Sequence, residues 1–282
     1  MMKSKNQTTF ERDGYQLKAE QHGGGPNLLI IGSVDYYKRV IPKALHDHFT
    51  CLYLDHRGFA LTGKDNQTIN LDIISDDIEA ICESFNIRKA SVLGHSGHAY
   101  MALHFASSAN IHIEKVMIFG ASPSLSEEMK AKQFSHWESH ASGERKRLFK
   151  QSIGKLENDI NKEPHKKFVH LCNRLSPMRW ADPNFNELPL WERVHTNTTV
   201  LDALWGDIFN SIDVTTLPMA NQLEVIVAIG ELDFSIAPLS TWLDLGGAFK
   251  SLELIELEGV SHTPMLESPV SFIELMCHHL LD

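Results

Sequence analysis

Three side chains in this sequence have the types and the order needed to open an acyl bond. Ser96 lies in "SVLGHSGHAY" (residues 91–100), where an apolar run gives way to a helix-like run. The join fits the pattern Gly-x-Ser-x-Gly at Gly94, His95, Ser96 and Gly97, with His98 in the fifth place where the pattern has glycine. A serine on a sharp strand-to-helix turn exposes its oxygen. The next backbone N–H, from Gly97, points to where an oxyanion would form, and the positive end of the helix adds to that potential. A serine hydroxyl alone is a weak nucleophile near neutral pH and needs a base. Asp233 in "AIGELDFSIAP" and His262 in "LEGVSHTPMLESP" each follow an apolar run further along. Ser96 would attack, His262 would take its proton and return it to the leaving group, and Asp233 would orient the imidazole and stabilise its cation. The bland alternative is that Asp233 caps a turn and His262 is one of 16 histidines, lying on the surface. Three positions in the right order weigh against it.

Glycine in the fifth place lets the helix lie close to the neighbouring strand. His98 therefore has three readings. Its ring turns into a gap, or reaches the pocket and acts on substrate, or deforms the elbow and inactivates it. His95, before the nucleophile, is expected to be structural.

The loops bearing Ser96, Asp233 and His262 must open on one edge, which calls for a parallel sheet. Alternation around Asp13 and Gly14 predicts two antiparallel strands joined by a tight turn. "NLLIIG" (27–32) is a strand buried on both faces. Helical and strand periods then alternate: helix 36–47, strand 49–55, helix 71–85, strand 90–94, helix 97–108 and strand 115–119. From about 122 to 216 the stretches are helix-like, rich in aromatic residues, and show no convincing buried strand. The rhythm returns with strand 223–230, helix 238–245, strand 252–257 and helix 268–281, with Ser268 as a cap and Pro269 in the first turn. The predicted architecture is α/β, a mainly parallel eight-stranded sheet with helices on both faces. Residues 1–122 and 217–282 form its core, and 123–216 an inserted helical cap.

Composition excludes several classes of function. A net charge of −10 argues against a nucleic-acid partner. No apolar run approaches a membrane span, and "MMKSKNQTTF" is a polar tail without a signal peptide's apolar stretch. Cys51, Cys82, Cys172 and Cys277 are widely spaced, as expected of thiols in the cytoplasm. The glycines 23–25 lack dinucleotide-binding spacing, and "HDH" (46–48) and "CHH" (277–279) lack a matching set of metal ligands. No dinucleotide site and no metal site is expected on these residues, and the partner is a small-molecule substrate.

On these motifs the chain resembles the α/β-hydrolase superfamily, and within it the branch of proline iminopeptidase-like serine hydrolases. "GHSGH" matches the nucleophile elbow, and "GELD" and "GVSHTPMLESP" match the acid and base loops. "DHRGFALTG" matches the branch's arginine loop through Asp55, Arg57, Gly58 and Thr62, with Ala60 replacing a glycine. The resemblance covers nearly the whole chain. It implies a hydrolase with a helical lid and neither metal nor organic cofactor. An Asp55–Arg57 pair is expected to knit a loop beneath the site.

The oxyanion loop departs from the family's His-Gly: Ile31 stands for the histidine and Gly32 is kept. The second oxyanion donor is a backbone N–H, by register from Ser33, with Val34 as the alternative. His98, Tyr36, Trp180 and Trp205 are the expected pocket residues, although Tyr36 and Tyr37 also suit helix packing. Trp137, Trp191 and Phe185 would add to an apolar lining. Proline iminopeptidases hold a substrate amino group with carboxylates in the lid; here Glu187, Glu192, Asp202 and Asp207 are available. A serine hydrolase acting on a small ester or amide is expected. The alternatives are a ligand-binding protein on the same scaffold and cofactor-free, non-hydrolytic chemistry with His262 as a base.

Overall fold

The apolar runs of the sequence become the inner strands of one sheet. The computed structural model describes residues 7–62 and 68–281; the polar tail at 1–6 and Gly63 of the arginine loop lie outside them. The strands are β1 (Gln7–Arg12), β2 (Tyr15–Gly23), β3 (Asn27–Gly32), β4 (Thr50–Asp55), β5 (Leu61–Thr62), β6 (Lys89–His95), β7 (His112–Phe119), β8 (Glu224–Gly230) and β9 (Ser251–Leu257). Their order is β1-β2-β4-β3-β6-β7-β8-β9, with the two-residue β5 paired to β2. β1 and β2 form the expected hairpin, β2 runs antiparallel to β4, and the strands from β4 to β9 are parallel. Eight strands thus match the expectation, and β5, too short to show in the pattern, makes a ninth.

The helix expected over 36–47 is broken in two. Helix α1 (Val34–Val40) starts where the Ser33 hydroxyl accepts the Tyr36 N–H, and a 3-10 run follows at Lys43–Asp47. Pro42 disfavours helical geometry at the residue before it, so Ile41 is extended (φ −75°, ψ 126°) and α1 stops. Helices α2 (Leu71–Ser84) and α3 (His98–Ser108) fall where the periodicity put them.

Between β7 and β8 lie α4 (Glu127–His140), α5 (Gly143–Ile153), α6 (Leu156–Lys162), α7 (Lys167–Arg174), α8 (Ser176–Arg179), α9 (Thr198–Ala203) and α10 (Phe209–Ser211). The sheet takes no strand from this stretch. After β8, the segment expected as an α-helix is a 3-10 run, Leu239–Ala248. Gly246 and Gly247 favour helix poorly, and Trp242 pins the run by donating to the Ala121 carbonyl at 2.9 Å. The chain ends in α11 (Pro264–Glu267) and α12 (Pro269–Leu281). Pro269 opens α12 as expected, but the Ser268 hydroxyl bonds the Ser271 hydroxyl at 3.0 Å instead of capping a backbone N–H.

Strand periodicity divides the apolar runs between two cores. Leu29, Ile31, Val92, Ile118 and Val227 pack on the face of α2 and α3. Leu28, Ile30, Leu93, Met117 and Ala228 pack on the other, with α1 and α12. Burial on both faces leaves the strand ends as the exits for polar side chains, and the loops after β3, β6, β8 and β9 converge there.

Candidate active site

β6 ends at His95 and α3 begins at His98, so Ser96 and Gly97 make the turn. Ser96 sits at φ +58°, a left-handed conformation that strains a residue with a side chain by roughly 1–3 kcal/mol. The turn is held by the Ser96 N–H on the Phe119 carbonyl (2.9 Å) and the Ala99 N–H on the Ser96 carbonyl (3.0 Å). The close contact of strand and helix belongs to Gly94, where a Cβ would lie 2.6 Å from the Ala99 Cα and 2.8 Å from the Ala102 Cβ. His98 therefore does not crowd that contact. Its buried ring lies instead among Tyr37, His56, Phe59 and Trp205.

The β8 and β9 loops bring Asp233 and His262 together. His262 Nδ1 is 2.7 Å from Asp233 Oδ2, and both residues are buried. The other oxygen, Oδ1, accepts the Ser235 hydroxyl at 2.6 Å and its N–H at 3.0 Å. Burial alone would raise the Asp233 pKa, but the His262 ring and the Ser235 hydrogen bonds outweigh it and hold the carboxyl below its usual value. With Nδ1 turned to the carboxylate, His262 presents Nε2, which has no hydrogen-bond partner. Glu267 fixes the loop by accepting the N–H groups of Ser261 (2.9 Å) and Thr263 (3.1 Å).

His98 belongs to a hydrogen-bonded chain whose directions can be worked out. Burial holds His56 and His95 well below the usual histidine pKa and pushes His98 down to about 3, so all three are neutral at neutral pH. The Gly58 N–H donates to His56 Nδ1 at 3.0 Å, which puts the His56 proton on Nε2. That nitrogen donates to His98 Nε2 at 3.2 Å, which puts the His98 proton on Nδ1. Nδ1 donates to the Tyr37 oxygen at 2.8 Å, and the Tyr37 hydroxyl donates to His95 Nδ1 at 3.2 Å. His95 Nε2 then donates to the His262 carbonyl at 2.8 Å. Every member donates once along the chain, which runs from the arginine loop to the backbone of His262.

Asp55 braces the loop after β3. Its Oδ1 accepts the Val34 N–H at 2.7 Å, so that donor is taken, and Ser33, buried beside it, is the donor left at this register. Asp55 does not pair with Arg57 as expected. Arg57 instead bonds Asp77 (2.6 and 3.0 Å) and Asp13 (2.7 Å), tying α2 and the first hairpin to its loop. The hydrogen bond to backbone occupies Asp55, while α2 offers Asp77 as a planar partner for the guanidinium.

Ser33, Ser96, Gly97 and His262 line one cavity of about 260 Å³. Tyr36, His98 and Trp205 also line it, as does Trp191. At Gly97 an added Cβ would lie 2.6 Å from the Trp205 ring, so the α9–α10 region closes directly over the elbow. Trp180, expected in the pocket, does not line the cavity: it stacks on Phe185 (4.0 Å between centroids) and donates to Glu187 Oε2 at 3.1 Å. Trp137 packs on Phe149 and Phe234. None of Glu187, Glu192, Asp202 and Asp207 lines the cavity. Glu187 is fully buried, and its Oε1 accepts Tyr36 (3.3 Å) and Trp191 (3.0 Å).

Four residues with roles in this geometry escaped the sequence: His56, Ser235, Arg179 and Glu267. Ser235 and Glu267 lie in the quoted "GELDFS" and "HTPMLE" strings and were within reach. Arg179 lies in "SPMRWADP", a stretch too irregular to orient. It lines the cavity, and its carbonyl accepts the His262 N–H at 3.0 Å. Burial opposes its charge, but Glu187 beside it more than offsets this and holds the guanidinium pKa above the usual value.

Comparison with known proteins agrees with this architecture. The alpha/beta hydrolase fold family matches residues 21–269. The AB hydrolase superfamily protein YclE of Bacillus subtilis (strain 168) is 34% identical over 262 residues, 92% of this chain and 93% of that protein. Among solved structures, an esterase (EaEST) from Exiguobacterium antarcticum aligns with TM-score 0.68 at 13% identity, over 96% of this chain and 97% of its own. The structure of Est816, an N-acyl homoserine lactone degrading enzyme, aligns with TM-score 0.64 at 17% identity, over 97% and 100%.

Proposed function

The chain belongs to the α/β-hydrolase family, and from that premise we propose that it is a serine hydrolase cleaving a small, partly apolar ester or amide. One observation carries this reading. His262 Nδ1 is engaged by Asp233 at 2.7 Å, while Nε2 is unpartnered beside the cavity that Ser96 lines. A neutral imidazole held that way offers its lone pair at Nε2.

In this mechanism Ser96 Oγ adds to the substrate carbonyl as Nε2 takes its proton. The charge on the carbonyl oxygen is met by the N–H groups of Gly97 and Ser33. The imidazolium, stabilised by Asp233, protonates the leaving group, and an acyl-serine remains. Water, activated by His262, then releases the acid and restores Ser96. Residues 123–216 act as a cap whose Trp191, Trp205 and Phe168 supply an apolar lining. His98 serves as a brace rather than as an acid or base, because both its ring nitrogens are engaged.

An aminopeptidase-like activity finds less support, since among the described residues no Asp or Glu lines the cavity to hold a substrate ammonium. Among the described residues no helix is long and apolar enough to cross a membrane, and none of the four cysteines is in a disulfide. Both suit a cytoplasmic enzyme. Ser96→Ala tests the reading: it should abolish turnover of a p-nitrophenyl ester while leaving the protein folded. Undiminished turnover would refute it.

A further inference from the structure

The cavity holds a cation that the hydrolytic mechanism above does not use. Arg179 is 9% exposed, lines the cavity, and among the described residues its guanidinium makes no hydrogen bond. Its nearest carboxylate is Glu187, with Oε2 3.5 Å from Nε, too far for a hydrogen bond. Glu187 is already supplied with donors by Tyr36, Trp180 and Trp191. An arginine present only to neutralise that carboxylate would bind it through two parallel N–H···O bonds. Here the carboxylate approaches at Nε, keeps the guanidinium charged, and leaves it without a hydrogen bond among the described residues, on a chain segment that lines the cavity.

The position of Arg179 is fixed by the same loops that carry the acid and the base. The His262 N–H donates to the Arg179 carbonyl at 3.0 Å, and the Phe234 N–H donates to the Met178 carbonyl at 2.9 Å. Among the described residues, Lys130 is the one other lysine or arginine on the cavity wall, and it is already paired with Glu127 (2.7 Å) and Asn210 (3.1 Å). Among the described residues no Asp or Glu lines the cavity to repel an anion. Leu171, Leu175 and Trp191 add apolar surface to the same wall, alongside the Tyr36 hydroxyl and the Cys172 thiol that neighbour Arg179.

We propose that Arg179 is a substrate-recognition residue, and that the substrate is an ester or amide bearing a carboxylate on an otherwise apolar body. This rests on the serine-hydrolase reading for the bond that is broken, but not for the binding. A planar carboxylate matches the fork of an arginine bidentately, and a buried guanidinium left without that partner selects strongly against a neutral analogue.

The test compares mono-4-nitrophenyl glutarate with its neutral methyl ester, 4-nitrophenyl methyl glutarate. The wild type should favour the acid at least tenfold in kcat/KM, mainly through KM. Arg179→Met should lower that acid-to-neutral ratio tenfold or more, and Arg179→Lys should restore part of it. Should Arg179→Met fail to fold, the pair Arg179→Met and Glu187→Gln removes both buried charges and is read in the same way. A wild type that turns over the esters without preferring the acid, or a ratio unmoved by these changes, overturns the proposal. Binding is read apart from turnover by titrating the Ser96→Ala protein with glutaric acid mono-4-nitroanilide. A tenfold or greater weakening on adding Arg179→Met supports the proposal, and equal binding overturns it. Arg179-dependent binding in a wild type that turns over neither ester would overturn the serine reading alone.

Discussion

The Nδ1 of His98 lies 2.8 Å from the hydroxyl oxygen of Tyr37. That contact makes the residue that departs from the elbow pattern a brace between α3 and α1. It also links the serine turn, through His95, to the backbone of His262.

Restoring the glycine of the pattern is therefore expected to weaken the fold. His98→Gly removes a buried ring from among Tyr37, His56, Phe59 and Trp205, leaves His56 Nε2 without a partner, and takes from the Tyr37 hydroxyl the donor it accepts. The expected cost is about 2–4 kcal/mol, read from urea unfolding midpoints. A variant as stable as the wild type would show that the brace contributes nothing.

Stability should fall as the pH is lowered below about 6.5. His56, His95 and His98 have folded pKa values below the usual one, so they remain neutral in the folded chain while the unfolded chain binds protons at these sites. Unfolding then takes up protons, and the stability they confer is lost as pH drops through the unfolded value. Asp55 opposes this: burial raises its pKa to about 7, so over the same range unfolding releases one proton. From these four groups alone the net uptake is roughly two protons, about 3 kcal/mol per pH unit once the histidines titrate fully, and His46, His104, His136 and His195, also held down by burial, add to it. Denaturant titrations between pH 7.5 and 5 measure the slope, and a flat profile would contradict the neutral-histidine chain.

Asp233→Asn should lower kcat by roughly 10⁴-fold, because the amide no longer fixes the His262 tautomer or stabilises its cation. Ser235→Ala removes one hydrogen bond to Asp233 and should cost only about tenfold. Steady-state kinetics on one ester measures both. Equal losses would mean that the serine hydroxyl, 3.1 Å from His262 Nδ1, carries as much of the orienting as the carboxylate.

The proposed nucleophile, acid and base were legible because each lies in a short local string at the end of a buried strand. Gly94, in the same string, carries the close helix–strand contact through Ala99 and Ala102. The direction of His98 was not legible. It depends on Tyr37 and His56, which reach it only through the crossovers joining β3, β4 and β6. Arg179 was hidden for a similar reason: a buried arginine needs Glu187 and two loops to hold it, and no local pattern encodes that. Trp180 was misassigned because aromatic content does not say which side of an irregular turn a ring takes. The overlong helix at 36–47 had its stop, Pro42, in plain view, and the apolar period ran across it.

Labelling of the folded wild-type protein with a fluorophosphonate probe, followed by mapping of the modified residue, tests the proposed chemistry most directly. The probe needs a serine activated by a base and an oxyanion hole, and nothing from the natural substrate. Modification at Ser96, absent in Ser96→Ala and strongly slowed in His262→Ala, is the predicted result. A folded protein that hydrolyses an ester yet stays unlabelled at Ser96 would contradict it.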